Sequence, residues 1–283
     1  MIFQVERSII NSLKSTGDRM SFGKEYIQNE LKKIDDALCE HLKLYLIGGG
    51  NMSLLGLKDA TKDMDVILNK KKELYILRDA LLRCGYVEKF LPQYQKMGSR
   101  LVMENGDGFR WDVFIKMVCH GLVLSPGMIK RCIEMDFDFE NLRIFLVSKE
   151  DMFLFKGVTE RERDLEDMHL LFLQGLNFEI IKEEIKWQSE NSDTAWIAYL
   201  FQRLLRLQEE YGIVVPDMDE IKRMAEEDAA TSLILEKLSR RSYTVEELAR
   251  EIQQDKNWME YLLRKLESKG KIERRGKVIT RKL

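Results

Sequence analysis

An apolar tetrapeptide, Leu44-Tyr45-Leu46-Ile47, runs directly into Gly48-Gly49-Gly50, and this junction constrains the chain more than any other feature. A short apolar run bounded by turn residues reads as a buried strand. Three glycines at its end let the backbone come close to another group, because no side chain intervenes. A short helix-like piece, Asn51 to Gly56, follows, then a polar turn from Leu57 to Lys62 and a second strand, Asp63-Met64-Asp65-Val66-Ile67-Leu68. Strand side chains alternate faces, so Asp63 and Asp65 point the same way, about 7 Å apart along the strand. Two carboxylates on one face repel each other unless a cation sits between them. Hard oxygen donors of this kind suit magnesium.

A third acid is available further on. Arg100 to Glu104 and Phe109 to Ile115 read as two strands joined by Asn105-Gly106-Asp107-Gly108, a hairpin turn signal. Arg110, Asp112 and Phe114 share one face of the second strand. Asp112 joins Asp63 and Asp65 if the two strands are neighbours. Gly48-x-Gly50-x-x-Ser53 also imitates a dinucleotide-binding loop without its last glycine. That fold places an acid at the end of a strand that follows a full helix. Here the acids open their strand, and the gap after Gly50 is too short for that helix.

Helical periodicity predicts helices over residues 2–14 and 22–41, with Phe22, Ile27, Leu31, Ile34 and Leu38 near helical spacing in the second. A helix is expected from Lys71 to Cys84, closed by Gly85. Ser148 with Asp151 signals a helix start, and Arg161 to Met168 continues the helical region. Trp187, Trp196, Tyr199, Leu200, Leu204 and Leu207 mark further helices over 177–211, and Val214-Val215-Pro216-Asp217 reads as a linker. Beyond it, Ala229 to Leu238 is a helix. Thr244-Val245-Glu246-Glu247 is a capping box opening the next, and Asn257 to Lys269 is a third. Lys271 to Thr280 reads as a two-stranded hairpin around Gly276.

With 283 residues the chain has room for two or three domains. No apolar run is long enough for a membrane span, and no basic-apolar leader opens the sequence, so a cytoplasmic protein is expected. Cys39, Cys84, Cys119 and Cys132 form no paired metal motif and read as reduced, mostly buried thiols. His41, His120 and His169 are too scattered for a metal site. Charge is unevenly placed: from Arg264 to Leu283 nine Lys/Arg face two Glu, a net +7, against about −9 elsewhere. A basic segment on an acidic body is the footprint of a module that meets phosphates.

Ile47-Gly48-Gly49, a 13-residue spacer and Asp63-Met64-Asp65-Val66 resemble the signature of the DNA polymerase β-like nucleotidyltransferase superfamily, with Asp112 as the third acid. Gly48 to Leu57 and Thr61 to Asp65 are similar to the prokaryotic branch of abortive-infection and antitoxin-type (toxin–antitoxin-like) members, and the likeness covers roughly residues 20–175. The resemblance implies an α+β fold: a mixed sheet flanked by helices, then a helical region. Three helices and a basic hairpin at the end look like a winged helix-turn-helix. The implied domains are 1–147 (nucleotidyltransferase-like), 148–215 (helical) and 228–283 (winged helix). Asp63, Asp65 and Asp112 would be catalytic and hold two Mg2+ ions. Gly48, Gly49 and Lys156 would contact a nucleoside triphosphate. Gly49 stands where many active members have Ser, so only its backbone could serve the phosphate. Arg264, Lys265, Arg274, Arg275 and Lys277 would meet DNA or RNA. The expected reaction moves a nucleoside monophosphate from an NTP to a hydroxyl of RNA, protein or a small molecule. The alternative is a non-catalytic DNA-binding regulator whose front domain senses nucleotide or a partner.

Overall fold

Alternation along two strands decides which side of the sheet becomes core. In a computed structural model the described residues are 20–90, 98–118, 121–159 and 161–282. The helix expected over 2–14, Cys119 and His120 lie outside them. Contacts divide the chain into two units, one ending at Lys156 and including Leu170–Gln174, the other made of Gly157–His169 and Gly175–Leu283.

The first unit is built on a mixed sheet. Its strands are β2 (Leu42–Ile47), β4 (Asp63–Leu68), β5 (Val87–Glu88), β6 (Leu101–Glu104), β7 (Arg110–Ile115), β10 (Ile133–Glu134) and β11 (Leu142–Leu146). They lie in the order β10-β11-β2-β4-β7-β6-β5. β11 runs parallel to β2 and β4 parallel to β7, whereas β2 and β4 are antiparallel. Two short strands, β8 (Met117–Val118) and β9 (Leu122–Val123), extend from β7. One sheet face carries Leu44, Leu46, Met64, Val66, Trp111 and Val113 into a core with Ile27, Leu31 and Ile34 of α1 (Lys24–Ala37) and Leu77 and Leu81 of α3 (Lys71–Arg83). Period-two alternation then leaves Asp63, Asp65, Arg110 and Asp112 on the other face.

The glycine triplet begins a helix, α2 (Gly48–Leu54), rather than a loop, and β2 feeds it without a spacer. Each glycine is there because a strand or turn side chain fills the space a Cβ would need. A Cβ on Gly48 would lie 2.0 Å from Asp65 Oδ2, one on Gly49 2.4 Å from Thr61 Oγ1, and one on Gly50 2.4 Å from Met64 Sδ. Gly48 also has φ +67°, which L side chains rarely adopt. Asn51, fully buried, donates from Nδ2 to the carbonyls of Leu46 (2.7 Å) and Val147 (3.1 Å), which pins α2 across the ends of β2 and β11. Short strands β1 (Phe22–Gly23) and β3 (Ala60–Thr61) pair and close the turn leading into β4.

After β9 come α4 (Pro126–Arg131), capped by Ser125, and α5 (Lys149–Gly157). Ser148 Oγ accepts from the Asp151 amide at 3.2 Å, as the sequence predicts, and Arg131 clasps Asp151 from α4 through two hydrogen bonds. Cys39, Cys84 and Cys132 are free thiols, but none is fully buried; Cys39 is exposed, contrary to the sequence expectation. Each makes a polar contact near the surface, which removes the reason to bury it.

The second unit is mostly helical and takes α6 (Glu162–Phe172) as far as His169. α7 (Phe178–Glu190), α8 (Trp196–Tyr211) and α9 (Met218–Arg240) follow. α9 starts well before Ala229, where the sequence suggested, because 218–228 holds good helix formers and no breaker. Asp228 of α9 accepts from Ser189 of α7 (3.0 Å) and from the Ile197 amide opening α8 (2.8 Å), joining three helices at one carboxylate; burial pushes its pKa up. Then come α10 (Val245–Ile252) with its Thr244/Glu247 capping box, α11 (Lys256–Ser268), and the antiparallel hairpin β12 (Ile272–Arg275) with β13 (Val278–Arg281). Ile234, Leu238, Leu248, Met259, Leu262, Leu263, Leu266 and Ile279 share one core. Among the described residues no helix is long and apolar enough to cross a membrane.

Two stability predictions follow from these contacts. Asp35 of α1 accepts from the amides of Glu140, Asn141 and Leu142 at 2.7–3.1 Å and so fixes the entry to β11. Burial alone would raise its pKa, but those amides and Lys32 outweigh it and hold it below its ordinary 3.8. Asp35→Ala is expected to cost about 3 kcal/mol in urea unfolding at pH 7. A lowered folded pKa stabilises above the unfolded value and loses that contribution as pH falls through the folded one. The wild type should therefore lose more stability than Asp35→Ala on acidification below about pH 4. At the glycine helix, Gly49→Ala is expected to cost about 1–3 kcal/mol by overpacking. Adding Thr61→Ala should restore part of that loss, measured as a double-mutant cycle.

Candidate functional site

β4 and β7 run side by side in register, and this places the acids. Asp65 lies opposite Asp112 and Asp63 opposite Arg110. Neighbouring strands are about 4.8 Å apart, so Asp65 and Asp112 stand shoulder to shoulder on the face away from the α1/α3 core. β2 lies on the other side of β4 with Ile47 opposite Asp65, so α2 begins directly beside that carboxylate. The structure thus brings together Asp63, Asp65, Asp112 and Gly48. Gly49 lies one step away, against Thr61.

The sequence reading placed Arg110 on this face but gave it no part. In the fold it is the positive centre of the site. One guanidinium nitrogen, Nη2, donates to Asp63 Oδ2 at 2.7 Å and to Asp112 Oδ2 at 2.7 Å. The Arg110 and Asp112 side chains are only 4% and 3% exposed, while Asp63 retains 23%. Burying carboxylates this deeply requires a partner charge, and removing one member of such a pair costs about 3–5 kcal/mol. The signal was present in the sequence as a basic residue two positions before the acid on the same strand.

The donors are all carboxylate oxygens, the chemistry of a hard divalent cation. Arg110 already sits between two of them as an internal cation, which marks the spot where positive charge is required. As arranged, no group of three His, Cys, Asp or Glu side chains among the described residues is disposed to hold a metal ion. The donor chemistry suits magnesium, and Asp63, Asp65 and Asp112 are the residues that would hold it.

Lys156 lies on α5 and is buried, 7% exposed. In the second unit the Arg161–Asp167 cluster is engaged structurally. Arg161 Nε donates to Asp164 at 2.7 Å, Arg203 donates to the Arg161 carbonyl, and Arg206 reaches Glu162 at 2.9 Å, tying α6 to α8. His169 stacks on Tyr211 at 4.0 Å, a packing contact.

Several basic residues near the end are held by acids of the same unit. Lys265 pairs with Glu227 of α9, and Arg274 pairs with Glu260 (2.7 Å) and Glu267 (3.5 Å). Lys269 reaches Glu190 at 2.8 Å, and Arg281 reaches Asp193. Arg264, Arg275 and Lys277 are exposed. Counting charge along the chain missed most of these pairs because Glu190, Asp193, Glu227 and Glu260 lie outside the basic segment.

The chain has no match among curated proteins. Two solved structures are similar at low identity. An antigenic nucleotidyltransferase-like protein from Paracoccidioides brasiliensis shares 12% identity over 72% of this chain and 95% of its own, with a TM-score of 0.42. A nucleotidyltransferase candidate from H. pylori shares 13% over 75% and 95%, with a TM-score of 0.34. The sequence itself matches a family over residues 25–202, which spans β2, α2, β4 and β7 and continues into α8. That match covers more than half of the chain, which therefore belongs to the family described as nucleotidyltransferase of unknown function (DUF6036).

Proposed function

We propose that the chain is a metal-dependent nucleotidyltransferase that moves a nucleoside monophosphate from an NTP to a hydroxyl acceptor. The observation that carries this reading is the register of β4 and β7, which sets Asp65 beside Asp112 with Asp63 one pleat away and the start of α2 adjoining. Asp63, Asp65 and Asp112 would hold magnesium, as two ions in the full reading. When bound, magnesium would offset the charge of the triphosphate and steady the attacking and leaving oxygens. Gly48 and Gly49 would offer backbone amides to a phosphate, since successive amides at a helix start form an anion cradle. Asp112, the most buried acid of the three, would orient the acceptor hydroxyl and take its proton. The acceptor oxygen then bonds to the α-phosphorus as the bond to pyrophosphate breaks. Lys156 would serve the triphosphate.

A second reading draws on Arg110. A guanidinium bound to Asp63 and Asp112 suits a front domain that senses nucleotide without turning it over. Incubating the chain with each labelled NTP, magnesium and a cell extract separates the two. Label on RNA, protein or a small molecule supports transfer. Asp65→Asn should then lower turnover by at least about a thousandfold while the circular dichroism spectrum is unchanged. NTP binding by calorimetry with no label transferred would favour the sensor.

Residues 228–283 are read as a winged helix-turn-helix that binds duplex DNA or RNA. Supporting this are the capped α10, the α11 that follows it, and a hairpin whose tip exposes Arg275 and Lys277. In the intact chain, replacing Arg275 and Lys277 together with Ala should weaken duplex binding. The dependence of log K on log salt should become shallower by up to about 1.8. Arg274→Ala should act on stability instead, because Arg274 is held by Glu260 and Glu267. An unchanged salt slope in the double variant would leave this segment as a protein-docking module.

A further inference from the structure

We propose that Arg110 is a built-in counter-cation that keeps the divalent-metal seat closed, so that a metal ion binds only by displacing it. The proposal rests on the metal-dependent reading above and concerns what controls that site. Arg110 Nη2 is 2.7 Å from both Asp63 Oδ2 and Asp112 Oδ2, so one nitrogen holds two of the three acids that would ligate the metal. The strand register sets up this contact: Arg110 stands opposite Asp63 and two residues before Asp112. Its side chain is 4% exposed, so water neither screens nor competes for it. A guanidinium and a divalent cation between the same two carboxylates would repel each other, which makes occupancy exclusive. Arginine stays charged throughout the physiological range, so pH near neutrality does not open the seat.

A triphosphate changes the balance. Its oxygens match the guanidinium fork as well as a carboxylate does, so an incoming nucleotide can receive Arg110 as it leaves the acids. Metal alone must evict the arginine with no compensation. Metal arriving with nucleotide supplies a replacement cation for Asp63 and Asp112 and a new anion for Arg110. The site is thereby disposed to load metal and nucleotide together.

The test is a calorimetric titration of the full chain with Mn2+ alone, comparing wild type, Arg110→Gln and Arg110→Lys, with circular dichroism to confirm folding. The expected result is at least about tenfold tighter Mn2+ binding by Arg110→Gln than by wild type. Arg110→Lys, which keeps the charge but loses the fork, should fall between them. Mn2+ should also raise the thermal midpoint of Arg110→Gln more than that of the wild type, because the ion replaces the missing charge. Equal or weaker Mn2+ binding by a folded Arg110→Gln overturns the proposal. Should that variant not fold, Arg110→Lys decides by the same comparison with wild type. Failure here and failure of the catalytic reading are distinct. A gain of Mn2+ affinity without any nucleotidyl transfer keeps the inference and removes the catalysis. Transfer with Mn2+ affinity unchanged by the substitution keeps the catalysis and removes the inference.

Discussion

The distance between α2 and β4 governs everything on the polar face of the sheet. Thr61, Met64 and Asp65 press against the three glycines so closely that no side chain fits between them. That approach orients Asp65 beside the start of α2. It also lets Asn51 reach the carbonyls of Leu46 and Val147, which ties the helix to the ends of β2 and β11. The hydrophobic core beneath, from Met64 and Val66 of β4 to Trp111 and Val113 of β7, fixes the same two strands from the opposite side. A pair of strands held on both faces presents its acids without freedom to separate.

Electrostatics then sets the character of the site. Three acids on adjacent strands would be unfavourable alone, and Arg110 answers two of them from within the sheet. The same device recurs in the second unit at lower burial. Lys182 is held by Glu179, Asp217 and Glu220, and its pKa is raised by those partners. The protein thus satisfies many of its charges locally, and two of the acids of β4 and β7 rest on an internal cation.

Much of this was legible in the sequence where the signal is local and periodic. The alternation Asp63-Met64-Asp65-Val66 gave the correct face for both acids, and Asn105 to Gly108 gave the hairpin that carries Asp112. Ser148 and Thr244 marked true helix starts. What stayed hidden depends on long-range pairing. The triplet Gly48-Gly49-Gly50 announces a close backbone approach, but which groups come close, Thr61, Met64 and Asp65, is set by packing the sequence does not display. Arg110 reads as an alternating polar residue until Asp63 is found opposite it. Lys265 and Arg281 read as free surface charge because Glu227 and Asp193 are distant in sequence.

The continuity of α9 bears on how this chain can be taken apart. At 1.5 Å per residue its 23 residues form a rod of about 35 Å with no break near position 228. A fragment beginning there would sever the helix and discard Glu227, which accepts from Tyr261 and pairs with Lys265. It would also lack Glu190 and Asp193, the partners of Lys269 and Arg281. Lys265, Lys269 and Arg281, each paired in the intact protein, would then lose those partners. Dissection at the apparent module border would therefore expose charge that the intact protein keeps paired.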